Sequence, residues 1–155
     1  MKVLVDTSVW SVALRRPKNS EISLDQQATA NALADLVRDG RAVLIGAIRQ
    51  ELLSGIKTQS QFDLLRDSLM AFDDLVLPMQ VYESAAQAFN TCRANGVQGS
   101  NTDFLICAAA THYQLPIFTL DGDFLQYQRW LPVHLFALNQ SHLAGSKHST
   151  YANPL

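Results

Sequence analysis

Short apolar runs of strand length alternate along this chain with longer segments whose apolar residues recur at helical spacing. The runs that we predict as strands are Val3–Val5 and residues 43–45, 75–77, 117–119 and 133–138. Helices are predicted between them at residues 25–37, 47–57, 61–72, 81–94 and 103–113. Continuous apolar strands separated by helices are typical of a parallel sheet that is covered on both faces. We therefore predict an α/β fold with a central parallel sheet of about five strands.

The helical and strand periodicity extends to about residue 138, which predicts one compact domain over residues 1–138. With 155 residues, 48% of them hydrophobic, the chain is long and apolar enough to form one core. Residues 139–155 are polar and lack periodicity, so we predict a frayed C-terminal tail. Cys92 and Cys107 lie in apolar helical segments and are predicted to be two packed thiols.

The chain carries no sequence signal for a membrane. No uncharged apolar run approaches the roughly 20 residues of a membrane-spanning helix. The opening MKVLVDTS also reaches an acid too early for a signal peptide. We therefore expect a cytoplasmic protein that does not contact a membrane.

Two acids follow predicted strands directly. Asp6 comes after Val3–Val5, and Asp121 comes after the strand at 117–119 and Leu120. Ligands of open α/β sheets bind beyond the carboxyl ends of the strands, so both acids are candidate ligand-binding residues. Each also has a structural interpretation, because Asp6 can cap a following helix and Asp121 can belong to an Asp-Gly turn.

Two further acids lie on predicted helices. Asp103 shares a helical stripe with Ile106, Cys107 and Ala110, and this stripe is predicted to face inward. The alternative for Asp103 is a capping box, since residues 100–103 have the S-x-x-D form. Glu51 has small residues four positions away on either side, which suggests the close approach of a ligand, although a solvated surface glutamate also explains it.

Four carboxylates at one sheet edge would repel each other strongly unless cations neutralised them. Oxygen ligands without His or Cys select hard cations, so we predict one or two Mg²⁺ or Mn²⁺ ions. Such ions suit hydrolysis of a phosphodiester. The net charge of −2 does not by itself indicate a nucleic-acid partner, but setting the four carboxylates aside leaves a weakly basic remainder.

Four motifs, in this order and spacing, resemble those of the PIN domain family and, within it, the VapC-type toxins of toxin-antitoxin pairs. The motifs are VLVDTSVW, IRQELLSG, TDFLICAAA and TLDGDF, and the resemblance covers residues 1–138. It implies a three-layer α/β/α sandwich, Mg²⁺- or Mn²⁺-dependent ribonuclease activity on an RNA substrate, a homodimer and a cognate antitoxin. Position by position, it implies a metal site of Asp6, Glu51, Asp103 and Asp121, with Thr7, Ser8 and Thr119 as hydroxyl neighbours.

On this basis Asp6 and Asp103 are predicted to bind metal directly, and Asp121 to bind it directly or through water. Glu51 is predicted to orient or deprotonate the attacking water. Asp123 is a fifth acid, and the motif leaves open whether it or Asp121 faces the metal.

Other residues near these acids are candidates for contact with RNA. Thr7, Ser8 and Thr119 are predicted to contact the substrate. Arg15, Arg16 and Lys18 are candidates for binding substrate phosphate, with a solvated loop as the alternative.

Two aromatic residues flank the acids. Trp10 and Phe124 could stack on a flipped-out base, although we favour packing in the core or at a dimer interface.

Two other functions remain open from the sequence. Asp6 could be the nucleophile of an aspartyl-phosphate phosphatase, but Ser8 stands where a second acid is expected and no lysine lies within the motifs. Alternatively, the chain is a non-catalytic protein-binding domain whose acids are caps and turn residues. The second hypothesis predicts no dependence on metal.

Overall fold

Three short parallel strands form the centre of the sheet in a computed structural model, which describes residues 1–14 and 22–144. They are β1 (Val3–Val5), β2 (Ala42–Val43) and β3 (Ile117–Phe118), in the order β2-β1-β3. Leu4 in the central strand is paired with Val43 on one side and Ile117 on the other. All strand residues are buried, which agrees with their uninterrupted apolar sequence.

The other two predicted strands are present only as single parallel bridges, one at each edge of the sheet. Leu44 is bridged to Asp74, and Ile117 is bridged to Leu135. Both segments lie close to a proline, Pro78 in one case and Pro132 in the other, and proline cannot donate to a strand ladder. The prediction of a parallel α/β sheet is confirmed, but three strands and two bridges replace the five expected strands.

Eight helices surround the sheet in the described part of the chain. They are α1 (Thr7–Leu14), α2 (Leu24–Arg38), α3 (Gly46–Leu53), α4 (Gln59–Leu69), α5 (Met79–Ala94), α6 (Asn101–Tyr113), α7 (Asp123–Gln128) and α8 (Gln140–Ala144). Three of them, α1, α7 and α8, were not among the predicted helices. They span about two turns or fewer, which gives a helical period little room to show in the sequence. Among the described residues, none of these helices has the length and apolar character needed to cross a membrane.

The first part of the polar C-terminal segment packs on the domain instead of fraying. His142 in α8 is buried, and its Nε2 lies 3.3 Å from Asp35 Oδ2 in α2. The backbone N–H of Asn139 donates to His142 Nδ1 at 3.3 Å. His142 therefore helps to dock α8 on α2, and periodicity cannot reveal such a contact. Residues 145–155 lie outside the described part of the chain, and the domain boundary at residue 138 stays a prediction.

The connections between strands create a switch point between β1 and β3. The chain passes from β1 through α1 and α2 to β2 at one side, and then returns through α3 to α6 to β3 at the other side. Right-handed connections in opposite directions put their helices on opposite faces, and α2 contacts β2 while α6 contacts β3. The sheet with helices on both faces forms the three layers of the predicted α/β/α sandwich. The crevice at the carboxyl ends of β1 and β3 is where such sheets bind ligands.

Candidate active site

Asp6 lies at this switch point, immediately after β1, and is only 6% exposed. Its backbone N–H donates to the Phe118 carbonyl at 2.8 Å, which continues the pairing of β1 with β3. Its carbonyl accepts from the N–H groups of Val9 and Trp10 and so begins α1. The Asp6 carbonyl therefore begins the helix, while its carboxylate lies at the edge of the sheet.

Two hydroxyl groups hold the Asp6 carboxylate and connect it to the loop after β3. Ser8 Oγ and Thr119 Oγ1 donate to Asp6 Oδ2 at 2.7 and 2.8 Å. The same hydroxyls accept from backbone N–H groups, Ser8 from Leu120 at 3.0 Å and Thr119 from Asp121 at 3.0 Å. The network therefore sets the position of Asp121 relative to Asp6. Contact of these hydroxyls with a substrate stays a prediction.

Three carboxylates converge in a group that does not include Asp6. One oxygen each from Asp103, Asp121 and Asp123 can be chosen so that all three lie within 4.8 Å of one another. Asp103 comes from the first turn of α6, and the backbone N–H of Asp123 donates to Asp121 Oδ1 at 2.9 Å. A set of carboxylate oxygens fits a hard divalent cation such as Mg²⁺ or Mn²⁺. The sequence left open which acid of the TLDGDF motif joins Asp103, and the structure brings both of them close to it.

The surroundings of Asp103 disfavour its charge. Burial raises the pKa of its carboxyl group, hydrogen bonds from Tyr127 and Ser100 lower it, and the Asp121 and Asp6 carboxylates raise it further. The pKa of Asp103 is raised overall, so the charged form lacks sufficient compensation from the protein alone. A cation would supply it.

We expect the burial of Asp103, together with the nearby carboxylates, to appear in the pH dependence of stability of the metal-free protein. Because the folded pKa is raised above 3.8, the native state binds a proton more tightly than the unfolded state does. Asp103 therefore stabilises the fold at low pH, and this contribution is lost as the pH rises through the folded pKa. In urea unfolding with a chelator, the stability of wild type minus that of Asp103→Asn should fall as the pH increases from about 4.

The matched control is Asp25→Asn, which removes the same charge from an exposed position in the first turn of α2. Its difference from wild type should change much less over the same pH range. If the difference for Asp103→Asn is independent of pH, the Asp103 carboxyl group is neither buried nor close to other carboxylates in solution.

Glu51 does not belong to the group of three acids and is linked to the site through Thr7. Thr7 Oγ1, next to Asp6 in the chain, donates to Glu51 Oε2 at 2.7 Å. The helix that carries Glu51 is anchored by Arg49, whose guanidinium donates to the Asp74 carboxylate, with a shortest distance of 2.8 Å. The same group donates to the Phe72 carbonyl at 2.8 Å. This anchor holds α3 in place, while Glu51 itself stays exposed.

Tyr127 was missed by the sequence analysis. It lies in α7, is fully buried, and donates its hydroxyl to Asp103 Oδ2 at 2.7 Å. Its position four residues after Asp123 would place both on one face of a helix, which is the signal that could have identified it. The short length of α7 concealed this signal.

The remaining predicted contacts have different outcomes. Arg15, Arg16 and Lys18 lie outside the described residues. Trp10 and Phe124 are both fully buried, so the prediction that they pack in the core is confirmed. The two cysteines are free and buried, as expected of packed thiols.

Comparison with known proteins identifies a family that the chain resembles. The chain matches the model of the PIN domain over residues 3–129. Comparison with curated proteins gives no match. Two solved structures have similar folds, each with a TM-score of 0.66: FitAcB from Neisseria gonorrhoeae, and VapBC2 from Rickettsia felis bound to a DNA fragment from their promoter.

The structural similarity covers nearly all of the chains compared. FitAcB is 22% identical, with 87% of this chain and 96% of that chain covered. VapBC2 is 16% identical, with 88% of this chain and 98% of that chain covered. At these identities the similarity supports the fold.

Proposed function

The chain belongs to the PIN domain family, and we propose that it is a metal-dependent endoribonuclease that hydrolyses phosphodiester bonds of RNA. PIN domains are generally nucleases, and they generally use divalent metal. The observation that carries the proposal is the group of Asp103, Asp121 and Asp123, which offer carboxylate oxygens within 4.8 Å of one another, together with the buried Asp6, whose charge acts on Asp103. Carboxylate oxygens at this spacing fit a hard divalent cation.

We assign Asp6, Asp103 and Asp121 as the residues that hold one or two Mg²⁺ or Mn²⁺ ions, with Asp123 as a further ligand. When bound, the ions lower the pKa of a water molecule and stabilise charge on the phosphodiester oxygens. Ser8 and Thr119 keep Asp6 Oδ2 hydrogen-bonded, so Asp6 Oδ1 is the oxygen that we assign to the ion. This arrangement fixes the carboxylate before substrate binds and reduces the cost of ordering it.

We assign Glu51 as the residue that orients or deprotonates the attacking water. Its exposed carboxylate is held by Thr7 at 2.7 Å and is separate from the three clustered acids. An acid that does not hold the ion is available to accept a proton from the nucleophile or to orient it. The residues that we propose to contact the RNA are Thr7, Ser8, Thr119, Arg15 and Arg16.

The proposal is tested by incubating the purified full chain with RNA in Mg²⁺ or Mn²⁺ and mapping the new ends by sequencing. We expect defined new ends that disappear with a chelator and are absent for Asp103→Asn. The same maps made after brief expression in cells identify the natural RNA. If wild type and Asp103→Asn give identical maps, the catalytic proposal is wrong.

We further propose that the chain is the toxin of a type II toxin-antitoxin pair, acting as a cytoplasmic homodimer that an antitoxin inhibits. The VapC-type motifs and the fold shared with VapBC2 support this. Expression without a partner should arrest growth, and Asp103→Asn should not. Light scattering of the purified chain tests the homodimer.

The two alternatives make different predictions in the same experiments. A protein-binding domain would show no metal-dependent cleavage, and its binding would not change in Asp103→Asn. A phosphatase acting through Asp6 would form a covalent phosphate on that residue, which mass spectrometry of the trapped protein would detect.

A further inference from the structure

Tyr127 is held rigidly beside the acidic group. Its ring is fully buried and packs on Phe104 and Phe124, with ring centroids 4.9 and 5.1 Å away. Both contacts are tilted or edge-to-face, as aromatic side chains prefer. The phenol therefore has little freedom to turn away, and its hydroxyl is kept 2.7 Å from Asp103 Oδ2.

The chain before α6 leaves space for this phenol. A Cβ atom added at Gly99 would lie 2.8 Å from Tyr127 Cζ and 2.9 Å from Phe104 Cε2. Both neighbours are ring atoms in a packed cluster and cannot move aside easily. The lack of a side chain at position 99 is thus required for the Tyr127 hydroxyl to reach Asp103.

The hydroxyl acts as a hydrogen-bond donor. An ionised carboxylate has no proton to donate, so the phenol supplies the proton of this contact. Its one proton is directed to a single oxygen of Asp103.

We propose that Tyr127 is a positioning residue for the cation site, which fixes Asp103 by occupying Oδ2 and leaves the other carboxylate oxygen to the ion. This inference rests on the proposed function, because it assumes that Asp103 holds a cation. Partners that hydrogen-bond to metal-binding side chains typically change metal affinity by about 10- to 100-fold when removed. Tyr127 does not touch the substrate in this role.

The test compares Mn²⁺ binding to wild type and Tyr127→Phe by calorimetry and electron paramagnetic resonance, without RNA. The substitution keeps the buried ring and removes only the hydroxyl. We expect roughly tenfold weaker Mn²⁺ binding or more. Cleavage of RNA by Tyr127→Phe should recover when the Mn²⁺ concentration is raised, because the ligands themselves are intact.

The matched control is Tyr113→Phe, which removes a hydroxyl that donates to the Val76 carbonyl. Tyr113 is at the far end of α6, about 15 Å along the helix from Asp103. Its loss should leave Mn²⁺ affinity unchanged.

Gly99→Ala provides an independent route to the same effect, because the added methyl group would displace the phenol. We expect it to weaken Mn²⁺ binding as Tyr127→Phe does. Gly46→Ala is its control, since a Cβ there meets only an ordinary contact of 3.7 Å with Asp74. Unfolding midpoints of all variants show whether the protein bound in each titration is folded.

The outcomes separate this inference from the proposed function. If wild type does not bind Mn²⁺, both are overturned. If wild type binds Mn²⁺ and folded Tyr127→Phe binds it equally well, only the positioning role is overturned, even when the variant is less stable. The role is also overturned if Tyr113→Phe weakens binding to the same extent.

Discussion

Replacing Asp6 with Asn is expected to abolish RNA cleavage while leaving the protein folded. Asn Oδ1 can accept the same hydrogen bonds from Ser8 and Thr119, so the loop after β3 keeps its place. The negative charge, however, is lost at the most buried acid of the site. Loss of one carboxylate ligand should remove about 4 kcal/mol of transition-state stabilisation, on the order of a thousandfold in rate.

This result would be measured as the cleavage rate of an RNA substrate at a series of Mg²⁺ and Mn²⁺ concentrations. Circular dichroism and an unfolding curve check the fold. Asp25→Asn carries the same change of charge on an exposed helix turn and should cleave at the wild-type rate. Undiminished cleavage by folded Asp6→Asn would contradict the assigned site.

Trp10→Ala should cause the largest loss of stability among these variants. The Trp10 side chain is fully buried, its Nε1 donates to the Val5 carbonyl at 3.1 Å, and its ring meets Phe72 edge-to-face at 4.9 Å. Removing the ring leaves a large cavity and takes away a hydrogen bond to the Val5 carbonyl of β1. We expect a cost of about 3 to 5 kcal/mol, a large part of the roughly 5 to 15 kcal/mol that stabilises a typical domain.

Urea unfolding followed by circular dichroism measures this cost. Trp130→Ala is the control, because Trp130 is 43% exposed and its loss should have a much smaller effect. A loss below about 1 kcal/mol for Trp10→Ala would contradict its packed position. If instead RNA cleavage fell while stability was unchanged, the base-stacking hypothesis for Trp10 would be restored.

Asp6 and Trp10 lie at the two ends of one short segment at the start of α1. Residues 6–10 place Asp6 at the switch point and Trp10 in the core, one turn of α1 apart. The packed indole anchors this helix, and the helix begins at the Asp6 carbonyl. The position of the carboxylate therefore depends on the core beneath it, and a mild loss of activity in Trp10→Ala would reflect that dependence.

Hydrophobic patterning made the parallel sheet predictable, because a strand covered on both faces must be apolar throughout. The same patterning did not predict how long the strands are. Residues 75–77 look like a strand, but Val76 is 77% exposed and only Asp74 forms a bridge. A segment at the edge of a sheet pairs on one side only, and next to a proline this pairing can stay short. The composition of the segment does not show how many residues pair.

The outline of the candidate site could be predicted because its main features show in a few consecutive residues. Asp6 and Asp121 each follow an apolar run, so their place at the carboxyl end of a strand can be read from neighbouring residues. The Ser100 cap was readable in the same way, and its Oγ accepts from the Asp103 N–H at 3.1 Å. Each of these features depends on only a few consecutive residues.

The sequence by itself determined the fold class, which follows from local periodicity. It also determined that Asp6 and Asp121 lie at one edge of the sheet, because each follows an apolar strand. Only the tertiary structure decided that Asp123 joins Asp103, that Thr7 donates to Glu51, and that Tyr127 donates to Asp103. These relations join residues far apart in the chain, and some come from helices too short to show a period. Their distances depend on how helices pack and which way side chains turn, which spacing along the chain does not specify.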